Sequence, residues 1–229
     1  MSPLRLRYQT LEVGGHDIHL RTLRDNQQFS DQDGVAERLG ISSATWPIFG
    51  IVWASGQVLA HHMIDFEIEG KRILEVGCGI ALSSLVLSQR QADITATDYH
   101  PEAGGFLAEN VRINGGRHIP FTRTGWADRS DRLGLFDTII GSDLLYEARH
   151  AQLLSEFIDR HARTECDVII VDPGRGNQNR FSREMSTLGY TVDKCQPPHT
   201  DYLDAPYKGS ILHYHRSAAK YTGHRIRLV

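Results

Sequence analysis

Apolar and polar positions alternate one by one on both sides of Gly14-Gly15 in LRLRYQTLEVGGHDIHLRTL, residues 4–23. A period of two, interrupted by two residues that tolerate positive φ, predicts a β-hairpin. Residues 24–47 are polar and broken by glycines and Pro47, so they predict a short helix embedded in loop. The pattern then lengthens: Ile51, Val52, Ser55, Val58, Leu59 and His62 fall at helical spacing. They predict a helix of about four turns ending at Asp65, weakened slightly by Gly56.

From Lys71 onward the rhythm is regular. An apolar strand, residues 72–76, runs through Gly77-Cys78-Gly79 into a helix spanning 81–90. ADITATD (92–98) reads as the next strand, and the helix after it begins with Pro101 and Glu102, residue types suited to a first turn. HIPFTRTGW (118–126), FDTIIGSD (136–143) and CDVIIVDP (166–173) read as further strands, alternating with helical segments of which 149–163 is the clearest. Strand alternating with helix predicts an α/β fold, a parallel sheet covered on both faces. After a helix at 179–189, residues 190–196 and 207–217 read as two strands joined by a Pro-containing loop. That connection is too short to carry a crossover helix, so the two pair antiparallel at a sheet edge. The tail beyond residue 217 reads as either a last strand or a disordered end.

Composition narrows the classes. At 229 residues, 40% apolar and 23% charged, the chain has ordinary globular proportions and a length that favours one domain. Its net charge of −3 and the absence of any Lys/Arg run longer than two residues argue against a surface that tracks phosphates, so nucleic acid is not an expected partner. Cys78, Cys166 and Cys195 form no CxxC, which fits a reducing compartment and offers no zinc pattern. No apolar run approaches the roughly 20 residues that span a bilayer, and the first residues lack a continuous apolar core. The expectation is a cytoplasmic protein with no membrane partner.

The glycine turn carries the candidate chemistry. Two glycines after a strand are a weak signal on their own. A dinucleotide fingerprint wants a third glycine where Leu82 stands, and two phosphates would be repelled by Glu75, two residues before the first glycine. A cationic ligand would not be. S-adenosylmethionine carries a sulfonium and an ammonium and no phosphate, and Asp98, about 20 residues on at the next strand's end, is placed to accept both ribose hydroxyls.

At these residues the sequence resembles the seven-strand methyltransferases, with LEVGCGIA (74–81) as the glycine motif and ATDYH (96–100) as the acidic motif. Ala81 stands in place of the third glycine of E-x-G-x-G-x-G, which requires that the helix start there without positive φ. FGIVWASGQVLAHHM (49–63), TGW (124–126), SDLLYE (142–147) and VDPGR (171–175) are similar to the family-16 methyltransferases, in the branch that modifies lysine of the electron transfer flavoprotein β subunit. The resemblance covers roughly residues 46–215. It implies a doubly wound Rossmann-like sheet of seven strands, mostly parallel with an antiparallel C-terminal pair. It also implies one domain: an accessory hairpin and loop (1–45), a catalytic core (46–216) and a tail (217–229).

The resemblance places Trp53, Glu75, Gly77, Cys78, Gly79, Asp98, Tyr99, Trp126, Ser142 and Asp143 around S-adenosylmethionine, with S-adenosylhomocysteine as product. It sets Asp143 and Tyr146 before the incoming nucleophile, a lysine side chain of a protein. Strand order supports Asp143 independently, since open α/β sheets place their sites at the carboxyl edge.

Other roles stand beside these. Glu75 could be a strand-end acid bonded to backbone N–H groups, Asp98 a helix cap, and the two tryptophans core filling. Asp143 and Tyr146 could be a turn acid and a packed ring, and Arg175 a turn residue or a substrate contact. His213 and His215 share one strand face but lack an evident third ligand, so no metal is expected. The rival functions are a small-molecule N-methyltransferase and a non-catalytic binding module of the same fold. No oligomeric state follows from these patterns.

Overall fold

A computed structural model describes residues 4–218. The hairpin is β1 (Leu6–Val13) and β2 (His16–Leu23), followed by α1 (Val35–Arg38), a 3-10 helix (Trp46–Gly50) and α2 (Ala54–His62). Then come β3 (Arg72–Val76), α3 (Leu82–Gln89), β4 (Asp93–Asp98), α4 (Ala103–Ile113), β5 (Phe121–Arg123) and β6 (Phe136–Ser142). The chain closes with α5 (His150–His161), β7 (Ala162–Asp172), α6 (Gln178–Thr187), β8 (Thr191–Cys195) and β9 (Ser210–Arg216).

Seven strands form one sheet in the order β5-β4-β3-β6-β7-β9-β8. β5, β4, β3, β6 and β7 are parallel, while β9 inserts antiparallel between β7 and β8. The chain moves outward from β3 to β5 and then returns to β6 on the other side of β3. The carboxyl ends of β3 and β6 therefore flank the point where strand order reverses, which is where a crevice opens in such sheets.

The buried strands are apolar on both faces, as a covered parallel sheet requires. Ile73, Ile140, Ile169 and Val171 face a core with α2, α3, α4 and the hairpin; Leu74, Val76, Ile139, Val168 and Ile170 face a second core with α5 and α6. Strand alternation puts Glu75 on the same face as Ile73, beneath α3.

The hairpin is tied to the core by amide side chains. Asn114 bonds the His19 backbone in both directions, N–H to Oδ1 at 2.9 Å and Nδ2 to C=O at 2.7 Å. Asn110 is fully buried; its Oδ1 accepts Arg21 N–H at 2.7 Å while its Nδ2 donates to Ile80 C=O at 3.2 Å. These bonds pair three backbone groups on the edge of β2 that faces away from β1.

Several boundaries differ from the sequence expectation. α2 begins at Ala54 rather than near Ile51, because Pro47 opens a 3-10 helix and Ile51 is extended, φ −119° and ψ 149°. Residues 101–102 form a turn, so α4 starts at Ala103. β5 is only three residues long and pairs solely with β4. The expectation for Ala81 is overturned: its φ is +61°. Gly77, Gly79 and Ala81 are successive left-handed residues two apart, φ 60°, 55° and 61°, and Ala81 N–H closes the turn on Cys78 C=O at 2.7 Å. Closure of this turn holds an L-residue where it costs about 1 kcal/mol. The tail from residue 219 onward lies outside the described residues. Among them, no helix is long and apolar enough to cross a membrane.

Candidate active site

On the β3 side the crevice is made by backbone. A Cβ on Gly79 would stand 2.8 Å from Phe49 C=O, so that position needs glycine for close approach as well as for φ; one on Gly77 would meet only the end of the Leu144 side chain, Cδ2 at 2.6 Å, so there it is the φ of 60° that favours glycine. Asp98 fixes the turn: Oδ2 accepts Gly79 N–H at 2.8 Å and Oδ1 accepts His100 N–H at 2.8 Å. Each oxygen keeps a second lone pair, so the partly exposed carboxylate can still take a ribose diol. Burial raises its pKa, against backbone N–H bonds that lower it. The Cys78 thiol is buried and pushed well above its ordinary range by burial and by Asp98 and Glu75, so it is a packed group and not a nucleophile.

Glu75 is turned inward. It is 4% exposed, and its Oε2 accepts from the Ser84 backbone N–H at 2.9 Å and from the Ser84 hydroxyl. Ser84 is the third residue of α3, so Glu75 satisfies a free N–H at that helix start, where negative charge is favoured. Burial pushes its carboxyl up to about 7. The signal was in the sequence: period two sets Glu75 on the α3 face, and Ser83-Ser84 supply the partner.

On the β6 side the crevice is made by side chains. Asp143 directly follows β6 in a left-handed conformation, φ +54°, with its N–H on Val171 C=O at 2.9 Å. Among the described residues three non-glycines have positive φ, and two of them, Ala81 and Asp143, flank this crevice. Arg175, in the loop after β7, grips Asp143 with two bonds, Nε to Oδ1 at 2.6 Å and Nη2 to Oδ2 at 2.8 Å. Tyr146 is exposed, and its ring stands perpendicular to that of His150 with centroids 4.4 Å apart; the His150 ring is in turn perpendicular to Trp126, with centroids 5.1 Å apart. Partial burial and then the Asp98, Glu147 and Asp143 carboxylates raise the Tyr146 pKa, which keeps the phenol protonated. Burial lowers that of His150, whose Nδ1 lies 3.0 Å from Leu144 C=O.

The remaining predicted residues are each held by local contacts. Trp53 precedes α2 and spends its indole N–H on Ile48 C=O at 2.9 Å. Tyr99 lies against Gly125 and donates to Leu39 C=O at 2.8 Å. Ser142 sits beside the first turn of α2, where a Cβ on Gly56 would be 3.7 Å from its Oγ. Trp126 is half-buried, with its C=O held by Arg160 at 2.8 Å.

Sequence reasoning missed His150, the Arg175 pairing and Tyr207. The Tyr207 hydroxyl meets Ser55 Oγ at 2.9 Å, and burial pushes its pKa up to about 12. It missed Asp167 as well, which lies 3.1 Å from His213 Nε2 and 3.0 Å from His215 Nδ1.

This fold is shared with the magnesium protoporphyrin IX methyltransferase of Synechocystis PCC 6803, solved with bound S-adenosylmethionine: TM-score 0.57, 17% identity, covering 85% of this chain and 89% of that one. The crevice and sheet order thus define a methyltransferase-type α/β fold. Residues 39–187 match the family described as lysine methyltransferase, a stretch that holds both sides of the crevice, and the chain belongs to that family. It is 29% identical over 133 residues to the electron transfer flavoprotein β subunit lysine methyltransferase of Xenopus laevis, covering 56% of this chain and 53% of that protein. It is 31% identical over 117 residues to a histidine protein methyltransferase 1 homolog of Dictyostelium discoideum, covering 48% and 38%. The chain spans about half the length of the curated relatives it matches.

Proposed function

We propose that this chain moves the methyl group of S-adenosylmethionine to a nitrogen of a protein side chain, a lysine. The observation that carries the reading is the pair of acids at the strand-order reversal: Asp98 with lone pairs free on the glycine-turn side, and Asp143 held left-handed on the other. Gly77, Gly79, Asp98, Tyr99 and Trp126 would hold the donor, and the inward-turned Glu75 would act through the turn it braces. When bound, the donor supplies a methyl on a positive sulfur, electrophilic without acid catalysis.

The residues on the β6 side then have one task, placement. Aligning a nucleophile and excluding water is worth up to roughly 7–11 kcal/mol in well-aligned model reactions. A lysine amine, with a reference pKa of about 10.4, arrives protonated and has no free lone pair until the proton leaves. Asp143 would hold the ammonium and aim its nitrogen, with the proton directed outward, and the Tyr146 ring would face the cation. Hairpin and core would act as one methyltransferase domain. The buried thiols Cys78 and Cys166 fit a reducing compartment such as the cytoplasm.

A histidine acceptor is the second reading, favoured by the name of the Dictyostelium relative and by Asp143 already carrying a cation. The test uses labelled donor and lysate from cells lacking this protein, followed by hydrolysis of the labelled product. Methyl-lysine is expected; methyl-histidine selects the second reading, and label confined to small metabolites overturns both. Asp143→Ala should lose turnover by about a hundredfold or more while calorimetry finds S-adenosylmethionine binding retained. Binding of NAD in place of the sulfur compound would end the proposal.

A further inference from the structure

The pair Asp143–Arg175 has unequal halves. Asp143 has a side chain only 13% exposed and a backbone pinned by β7, whereas the Arg175 side chain is 45% exposed. Arg175 stands between Gly174 and Gly176, with φ of 94° and 92°, and a Cβ at either glycine would meet nothing within 4 Å. The carboxylate is fixed, and the guanidinium hangs on a loop with room to move. Both oxygens of the carboxylate are nonetheless taken, in the two-pronged geometry that makes charge-assisted bonds strongest.

We propose that Arg175 is a specificity-determining cap: it occupies Asp143 as an internal cation until an acceptor ammonium carried on a protein displaces it. The inference rests on the reading of Asp143 as the group that receives the acceptor. Exchange of one cation for another leaves the Asp143 charge compensated throughout, so no bare carboxylate is exposed in a half-buried place. A free amine brings only its ammonium and must compete with a tethered guanidinium, whose effective concentration at Asp143 is high. A lysine on a protein surface brings further contacts, for which Tyr146, three residues after Asp143, and Ile48, next to the Phe49 whose C=O lies against Gly79, stand exposed. The cap thus sets a threshold that protein-borne lysine passes and small amines do not.

The experiment uses n-butylamine as a minimal acceptor with labelled S-adenosylmethionine, alongside lysate from cells lacking this protein. Arg175→Ala should lower the KM for n-butylamine roughly fivefold to tenfold, the size expected of a partly exposed two-pronged ion pair, with kcat changed less than about twofold. Arg175→Lys should fall between Arg175→Ala and the natural protein, and adding Asp143→Ala to Arg175→Ala should erase the gain. Calorimetry with S-adenosylhomocysteine reports folding and the donor site for each variant, and Arg175→Gln serves if the alanine variant does not fold. An n-butylamine KM that is unchanged or higher in variants that bind S-adenosylhomocysteine normally overturns the cap, and if lysate protein is still labelled, it overturns the cap alone. No label on any acceptor, with any variant, removes the methyl-transfer reading together with the cap.

Discussion

The two sides of the crevice are built by different means. At the end of β3, Gly77, Gly79 and Asp98 are neighbours in sequence or lie one strand apart, and backbone N–H groups hold the key carboxylate. At the end of β6, Asp143 meets a partner 32 residues away through two side-chain bonds, and Tyr146 lies exposed beside it. The first side is fixed before any ligand arrives, as a binding site for one constant compound should be. The second is held by an arginine whose side chain is 45% exposed, which on the proposed function would suit a partner that is admitted and released.

The largest effect expected from breaking this contrast is at Gly79. Gly79→Val sets a β-branched residue at φ +55° against Phe49 C=O, which should cost several kcal/mol and reduce S-adenosylmethionine affinity a hundredfold or more by calorimetry. Removing the Arg175 side chain, on the other side, should leave that affinity unchanged.

Glu75 sharpens the contrast through pH. Its carboxyl is raised from 4.5 to about 7 in the folded chain, so the native state holds a proton that the unfolded chain has released. Its contribution is fully present below pH 4.5 and is lost as pH rises through about 7, a decline of about 3 kcal/mol from this group alone. Glu75→Gln, which cannot ionise, should flatten the dependence; unfolding by denaturant at several pH values reads it. An unaltered slope in the variant would mean that Glu75 is ionised in the fold. The smallest effect is at Tyr99: Tyr99→Phe loses one exposed bond to Leu39 C=O and should cost about 0.5 kcal/mol or less, with donor affinity changed under about twofold.

What was legible in the sequence follows the same division. Apolar runs gave the parallel strands, alternation gave the hairpin, and the missing crossover gave the antiparallel β8–β9 pair, because each depends on residues close in the chain. The glycine turn was legible for that reason, although the left-handed Ala81 was not: its backbone is dictated by how the turn closes and not by its own preference. Helix α2 was read too long because Ile51 and Val52 keep helical spacing while serving an extended segment after Pro47. The partners of Asp143, Ser55 and His213 lie 32, 152 and 46 residues away, and no local pattern announces them.

Asn110 gives the hairpin a consequence beyond its own stability. One amide group holds the outer edge of β2 with its oxygen and the carbonyl next to the glycine turn with its nitrogen. Loosening the hairpin therefore withdraws support from the loop that would grip the donor. An apparent ornament at the start of the chain works as a brace, and damage far from the crevice would be felt as a weaker hold on the nucleoside.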